Sequence, residues 1–477
     1  MSDLDAALAA VVGADNVDVG ERVREDDTHD ECLTVAGVRP AAVVRPASTD
    51  EVAGIVTECH RRRVPVTARG SGTGLSGACV PVEGGVVVSF ERMASILEID
   101  ATNHVAVVQP GVTLQQLDEA LQPHGLVYPV FPGESSASLG GNVATNAGGM
   151  RAVKYGVTRH QVLGLTAVLG TGETLSTGGK FVKATTGYDL TQLIIGSEGT
   201  LALVTEAILR LYPRPAHAAT LLAPFTTLEA IAEAVPRIVA SGIGPLIVEY
   251  IDRMAMAGIV KASGLDLGVP ADVKSHAAAY LVVVLEQRRA DRLEEDVEEL
   301  ATLTSDLGAL DVYVLPAQAG AQLIEGRERA FWTAKAAGAD DIVDVVVPRA
   351  SIPEYMAAVA AAGEATGSVI VACGHAGDGN VHLSVYQPDD AVRDELLRRL
   401  FVRGRELGGA ISGEHGIGRA KRRWYEELED PTKLALFRRI KASFDPAGIL
   451  NPGAIFSESA AETAEAAAAA PAASTTP

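Results

Sequence analysis

The loop Arg69-Gly-Ser-Gly-Thr-Gly-Leu-Ser-Gly77 admits two folds, and the residues after it exclude one of them. It contains a formal G-x-G-x-x-G at Gly72, Gly74 and Gly77, the pattern of a dinucleotide-binding βαβ turn. That reading requires a helix to open inside the motif, so that its positive end meets a pyrophosphate. The chain continues instead as Ala78-Cys-Val-Pro-Val-Glu-Gly-Gly85, where Pro81 and the paired glycines forbid a long helix. The sequence therefore predicts strand–loop–strand, with glycines letting successive backbone N–H groups converge on an anion. Two further stretches share this texture. Pro132-Gly-Glu-Ser-Ser-Ala-Ser-Leu-Gly-Gly-Asn142 runs into Thr145-Asn-Ala-Gly-Gly149, and Thr185-Thr-Gly-Tyr-Asp-Leu190 is followed by Gly196-Ser-Glu-Gly-Thr200. Small residues and hydroxyls at this density suit a long, polyphosphorylated ligand laid against backbone.

On either side of the loop, residues 36–215 alternate Val- and Ile-rich runs with Gly-rich turns. The runs 41–45, 64–68, 85–90, 104–109, 162–169 and 200–211 read as strands. Helices are expected at 50–62 and at 113–123, the second opened by a threonine cap. Near Pro213-Arg214-Pro215 the pattern changes. Residues 227–240 and 291–307 have helical periodicity, 280–285 and 312–315 read as strands, and 400–456 look helical with Gly-rich breaks. The fold class expected is α+β, divided into an N-terminal segment (1–35), a first domain (36–215), a second domain (216–456) and a disordered tail (457–477) poor in apolar anchors.

At 477 residues the chain is long enough for two or three cores. Its formal charge of −21 argues against nucleic acid or an anionic membrane as partner. The N-terminus lacks the basic start of a signal peptide, and no run approaches the roughly 18 apolar residues of a membrane span. A cytoplasmic protein with no direct membrane span is expected. Cys32, Cys59, Cys79 and Cys373 form no C-x-x-C pair and read as reduced thiols.

Chemistry concentrates in Gly374-His-Ala-Gly-Asp-Gly-Asn-Val-His382 and Ser412-Gly-Glu-His-Gly-Ile-Gly418. His375 and His382 would face opposite sides of a straight strand, but Gly374, Gly377 and Gly379 allow a sharp bend that brings both to one centre. Imidazoles plus a carboxylate suit a divalent metal, Zn2+ first and Mn2+ or Fe2+ next. Residue types alone do not decide which imidazole stays free.

Taken with the glycine loop, these motifs resemble the FAD-linked oxidase family with the vanillyl-alcohol-oxidase-type flavin fold, and within it the D-lactate dehydrogenases and the glycolate oxidase flavoprotein subunits. The similarity spans roughly residues 35–456. It implies an FAD-binding domain of two α+β subdomains and an α+β cap domain whose helical C-terminal stretch returns to the flavin. FAD would rest on Arg69, Gly70, Ser71, Gly72, Thr73, Gly74, Leu75 and Ser76. Pro132, Gly133, Ser135, Ser138, Gly141, Asn142, Thr145, Gly148, Glu198, Gly199 and Asn451 would complete its site. No histidine lies in the glycine loop, so the resemblance implies non-covalent FAD. It also assigns His375, His382 and Glu414 as metal ligands, His415 as base, Arg327 as the substrate-carboxylate cation and Asn380 as an orienting group. A solvated helix face is the competing reading of the charged run around Arg327.

The activity implied is oxidation of a small D-2-hydroxy acid. The electron acceptor would be an electron-transfer flavoprotein, a quinone reached through an iron–sulfur partner, or a cytochrome. Relatives acting on D-2-hydroxyglutarate carry a lysine and a threonine where this chain has Ile342 and Phe331. That departure favours a monocarboxylate of the lactate or glycolate type over the D-2-hydroxyglutarate alternative. The family also includes transferases of the alkylglycerone-phosphate synthase kind, but the histidine run expected of them is missing here.

Overall fold

The computed structural model of the chain describes residues 2–457, so all but the first residue of the expected tail lies outside the described residues. A four-stranded sheet runs in the order Val17–Val19, Ala42–Val44, Val86–Ser89, Val66–Arg69; the last three strands are parallel and the first antiparallel. Its central strands are continuous valine runs because both faces are covered. The helix Thr49–Arg62 makes the crossover. Ser48 caps it by accepting the N–H of Glu51 (3.2 Å), and Val52, Ile55, Val56 and Cys59 form its buried stripe. The glycine loop leaves Arg69 and returns as the strand Val86–Ser89 with no helix between, as the proline and paired glycines require.

A five-stranded antiparallel sheet comes next, in the order Ile96–Asp100, Val105–Val108, Ala202–Arg210, Val162–Leu169, Thr174–Gly178. Neither edge strand is expected from the sequence. No helix is expected at 139–145 from the sequence, whereas Leu139–Thr145 is a helix whose first turn is capped by Ser138.

The third sheet positions the site. Seven antiparallel strands run in the order Tyr313–Leu315, His217–Phe225, Ala279–Gln287, Ile247–Asp252, Val369–His375, Asn380–Tyr386, Asp341–Val346. Side chains alternate across such strands. Val248, Tyr250, Ala372, Val381, Leu383, Val343 and Val345 join one apolar core with residues of the helices Leu228–Ala240, Ile352–Thr366 and Asp390–Glu406. The alternate positions, Glu249, Cys373, His375, His382, Ser384, Ile342 and Asp344, are left for the opposite face. Among the described residues no helix is long and apolar enough to cross a membrane, and the four cysteines form no disulfide.

Candidate active site

The turn between Val369–His375 and Asn380–Tyr386 solves the geometric problem posed by two imidazoles seven residues apart. The hairpin pairs Cys373 with His382 and His375 with Asn380. Residues opposite one another in a sheet share a face, as do residues two apart on one strand. His375 and His382 thus meet on one face with ring centroids 4.8 Å apart. Gly379 has φ +93°, and a Cβ there would sit 2.0 Å from the carbonyl oxygen of Val347, so the turn demands glycine.

Glu414 and His415 arrive on the loop 412–418. A buried acid that sequence reasoning missed, Asp344, gathers this loop. Its carboxylate accepts the N–H groups of Gly413 (2.7 Å), Glu414 (2.6 Å) and His415 (3.1 Å) and the hydroxyl of Ser412 (3.0 Å), and it pairs with the ammonium of Lys421. Glu414 Oε1 is thereby held 3.1 Å from His375 Nε2 and 3.2 Å from His382 Nε2. One ligand atom from each of the three lies within 4.8 Å of the others.

A second missed acid, Glu249, backs this group. Its Oε1 lies 2.5 Å from His375 Nδ1 and its Oε2 lies 2.9 Å from Arg327 Nε. Arg327 is only 7% exposed, which removes the solvated-face reading, while Arg329 beside it does point outward and pairs with Glu325. The Nη2 of Arg327 has no hydrogen-bond partner. Arg327, Phe331, Ile342, His382, Glu414 and His415 line a single pocket, so both positions singled out for substrate choice face the cluster. Asn380 packs its amide against Gly413, whose Cβ would lie 2.4 Å from the Asn380 Oδ1. That oxygen is buried without a partner.

Burial and charge set these groups apart. Burial lowers the proton affinity of His375, but the carboxylates of Glu249 and Glu414 outweigh it and hold the imidazolium well above its ordinary range. Burial dominates at His415 and pushes it down to about 4, although Asp344 Oδ1 stands 3.3 Å from its Nδ1. For Asp344 the balance reverses: burial alone would raise it, yet His415 and Lys421 keep it ionised well below the usual carboxylate range.

The glycine loop borders a separate narrow channel walled by small residues, among them Ala68, Gly70, Gly140, Gly141, Ala144 and Gly199. Thr145 and Glu198 also line it. A Cβ on Gly70 would lie 2.0 Å from Ser138 Oγ, the oxygen that also accepts the Ser71 N–H. Asn142 is buried with an unpartnered Nδ2. The remaining predicted cofactor contacts are distributed differently. Leu75, Pro132 and Gly133 line the histidine pocket, and Ser135 lines a separate groove with Gln115 and Arg151. Arg69 turns beneath the loop to donate to the carbonyl of His29 (2.6 Å), with a Cβ on Gly72 excluded by the same guanidinium (2.1 Å). Thr73 and Gly74 continue the loop, where the Gly74 carbonyl accepts the N–H of Glu31, and the Ser76 carbonyl accepts that of Arg419. Gly148 abuts the metal-type cluster, since its Cβ would lie 2.7 Å from Glu414 Oε2. Glu198 aims its carboxylate at the N–H groups of Ile417 (2.8 Å) and Gly418 (2.7 Å), and Asn451 donates to the carbonyls of Ala78 and Glu198.

Residues 214–455 match the family described as FAD linked oxidases, C-terminal domain, and residues 40–178 match the FAD binding domain. The chain belongs to the FAD-linked oxidase family. It is 54% identical over 96% of its length to the whole of an uncharacterized FAD-linked oxidoreductase of Mycobacterium tuberculosis. It is 40% identical to a D-lactate dehydrogenase of Archaeoglobus fulgidus, over 87% of this chain and 90% of that one. With the glycolate oxidase subunit GlcD of Bacillus subtilis it shares 37% identity, over 96% and 97% of the two chains. The structure of p-cresol methylhydroxylase superposes with TM-score 0.77 at 20% identity, covering 94% of this chain and 95% of that one, which shows the shared fold.

The residues of this FAD-linked oxidase fit its cofactor. Glycine and alanine walls leave room for a flat ligand, and the unpartnered Asn142 Nδ2 and Asn451 Oδ1 are buried polar atoms that a bound cofactor can satisfy. The donor set of His375, His382 and Glu414 equally fits a divalent ion with an open position, because three protein ligands are the catalytic rather than the closed structural arrangement.

Proposed function

We propose that this oxidoreductase is a dehydrogenase that oxidises a small D-2-hydroxy monocarboxylic acid, of the lactate or glycolate type, to the 2-oxo acid. The observation that carries the reading is the convergence of His375, His382, Glu414, Arg327 and His415 on one pocket that also presents Ile342 and Phe331. Arg327 supplies a forked cation for the carboxylate, oriented from behind by Glu249. Ile342 and Phe331 offer no charge to a second carboxylate. His415 is neutral near pH 7, and with Nδ1 facing Asp344 its Nε2 is left to accept the substrate hydroxyl proton. Asn380 holds its free Oδ1 beside this loop as an orienting group.

FAD, bound without a covalent link, supplies the two-electron acceptor for the hydrogen at C2. A divalent ion on His375, His382 and Glu414, Zn2+ in the first instance, supplies a Lewis acid that lowers the hydroxyl pKa. The enzyme works in the cytoplasm and passes electrons to a flavoprotein, an iron–sulfur protein on the way to quinone, or a cytochrome.

The test is an anaerobic visible spectrum of metal-replete protein before and after addition of single D- and L-2-hydroxy acids. D-lactate or glycolate should bleach the flavin band, whereas L-lactate and D-2-hydroxyglutarate should not, and stringent chelation should slow the bleaching. A flavin band that no 2-hydroxy acid bleaches would overturn the substrate class, and indifference to chelation would remove the metal.

A further inference from the structure

The pocket around the histidine cluster is closed to most solvent. The side chains of His382, Glu414 and His415 are 12%, 10% and 10% exposed, so a substrate reaches them only past one of the walls. Two walls are pinned. The sheet hairpin carries His375 and His382, and the loop 412–418 is bound through its backbone to the buried Asp344. The wall that supplies Arg327, Ala330 and Phe331 is built differently. The helix Ala317–Glu328 stops at Arg329, where ψ is 7°, and a short helix follows over Ala330–Ala336. Just beyond it, Gly338 has φ +82° and open space around its Cα, which suits a pivot. Ala334 is the one residue the short helix buries, and scarce apolar burial marks a segment that opens at low cost.

What holds this helix down is polar and lies at the surface. Lys335 Nζ stands 2.5 Å from Glu31 Oε2, and Trp332 donates its indole N–H to Glu134 Oε2 (3.3 Å). Lys335 and Trp332 are both exposed. Lys335 Nζ is also 5.3 Å from the ring centroid of Trp332 and 5.9 Å from that of Phe331, which joins the ion pair to the pocket-lining ring. Both acids are anchored on the cofactor side. Glu134 accepts the N–H (3.0 Å) and hydroxyl (2.8 Å) of Ser136, and Glu31 donates its N–H to the carbonyl of Gly74 in the glycine loop (2.9 Å). Exposed pairs of this kind contribute little to stability, so they break and re-form readily.

We propose that the helix Ala330–Ala336 is the gate of the pocket, latched to the FAD-binding side by Lys335 on Glu31 and by Trp332 on Glu134. This rests on the reading of the pocket as the substrate site and adds how that site opens and shuts. Releasing the two contacts swings Phe331 out of the wall and admits substrate. Re-forming them returns Phe331 to the pocket and excludes water from it.

Two rates measured on the FAD-loaded protein test the gate. One is hydrogen exchange of the amides of residues 330–336, followed by mass spectrometry. The other is acylation of His415 by diethyl pyrocarbonate, mapped on the peptide that carries it. Neither uses a hydroxy acid, so failure of the gate and failure of the dehydrogenase reading show separately. Glu31→Lys sets like charges against each other while keeping Lys335 on its aromatic rings, and it should speed both rates about tenfold at low salt. Adding Lys335→Glu restores opposite charges in reversed order and should bring both rates back to within about threefold of the parent, the remainder reflecting the lost cation–π contacts. Exchange in Glu31→Lys that matches the parent overturns the latch, as does a double variant no slower than Glu31→Lys. Faster exchange with unchanged acylation of His415 overturns the gate, because the helix would then fray without opening the pocket.

Discussion

Replacing Glu249 with Gln isolates the acid that stands behind both His375, the proposed metal ligand, and Arg327, the proposed substrate cation. The side chain is fully buried, with one oxygen 2.5 Å from His375 Nδ1 and the other 2.9 Å from Arg327 Nε. The amide nearly preserves volume and keeps one acceptor, but removes the charge shared by two partners. At His375 a hydrogen bond to a charged group, worth about 1.5–3 kcal/mol, becomes a neutral one worth about 0.5–1.5, so about 1–1.5 kcal/mol is lost there, and at Arg327, which Glu249 faces as an ion pair, the buried cation loses its counter-charge. Carboxylate–histidine–metal triads lose about 10- to 100-fold in metal affinity when the carboxylate goes, in line with that figure. The variant should bind Zn2+ about tenfold more weakly, measured by competition with a fluorescent chelator. Independently, the substrate concentration that half-saturates flavin reduction in stopped flow should rise about tenfold, because Arg327 loses the group that aims it. Circular dichroism should remain that of the parent. If Zn2+ affinity and half-saturation both stay within about twofold, Glu249 orients neither group and the account of Arg327 is wrong.

The same geometry sets four further outcomes. His415→Ala should slow flavin reduction by about 10²–10⁴-fold while the FAD absorbance stays with the protein; a retained rate would remove the base assignment. In the metal-free protein Glu249 and Glu414 keep His375 protonated well above its ordinary range, and a ligating imidazole must shed that proton. Zn2+ binding at pH 7 should release protons and tighten as pH rises, seen as a calorimetric enthalpy that depends on the buffer's ionisation heat; an enthalpy indifferent to buffer would contradict it. Burial pushes Glu198 up to about 7 from 4.5, so the native chain holds more protons than the unfolded chain between those values. Stability is then full below about pH 4.5 and falls by about 3 kcal/mol as pH climbs to about 7, a slope that should flatten in Glu198→Gln when melting temperature is followed against pH. Ile342→Lys, on the pocket wall opposite Ser384, should raise kcat/KM for D-2-hydroxyglutarate relative to D-lactate, and an unchanged ratio would show that substrate size rather than charge sets the limit.

The parts of the fold legible in the sequence are those that a local pattern encodes. The strand expected at 162–169 coincides with Val162–Leu169, and the glycine loop excludes a Rossmann helix through Pro81 and the paired glycines after it. Edge strands escape such a reading for a physical reason: Thr174–Gly178 alternates exposed and half-buried positions and carries no apolar run. The helix Leu139–Thr145 is hidden by Gly140 and Gly141, poor helix formers; at 140 a larger residue would strike Pro110 (2.4 Å).

The two acids are hidden more deeply, and the reason bears on how the site works. Glu249 sits inside the strand Ile247–Asp252 and Asp344 inside Asp341–Val346, each between apolar neighbours that belong to the helix-covered core. Read along the chain, each is an acid set between apolar residues, on a strand that carries no cation to pair with. Only the sheet order explains them: Tyr250 pairs with Gly374 and Asp344 with His382, so each acid lies beside a histidine from a distant segment. A lone buried carboxylate is too costly to persist unless such partners repay its desolvation. Asp344 recovers that cost from Lys421, Ser412 and three backbone N–H groups, and in doing so fixes Glu414 and His415. Glu249 recovers it from His375 and Arg327. The histidine motifs supply the side chains of the candidate site, while the acids that hold them in place are specified by register, which no local pattern of residues records.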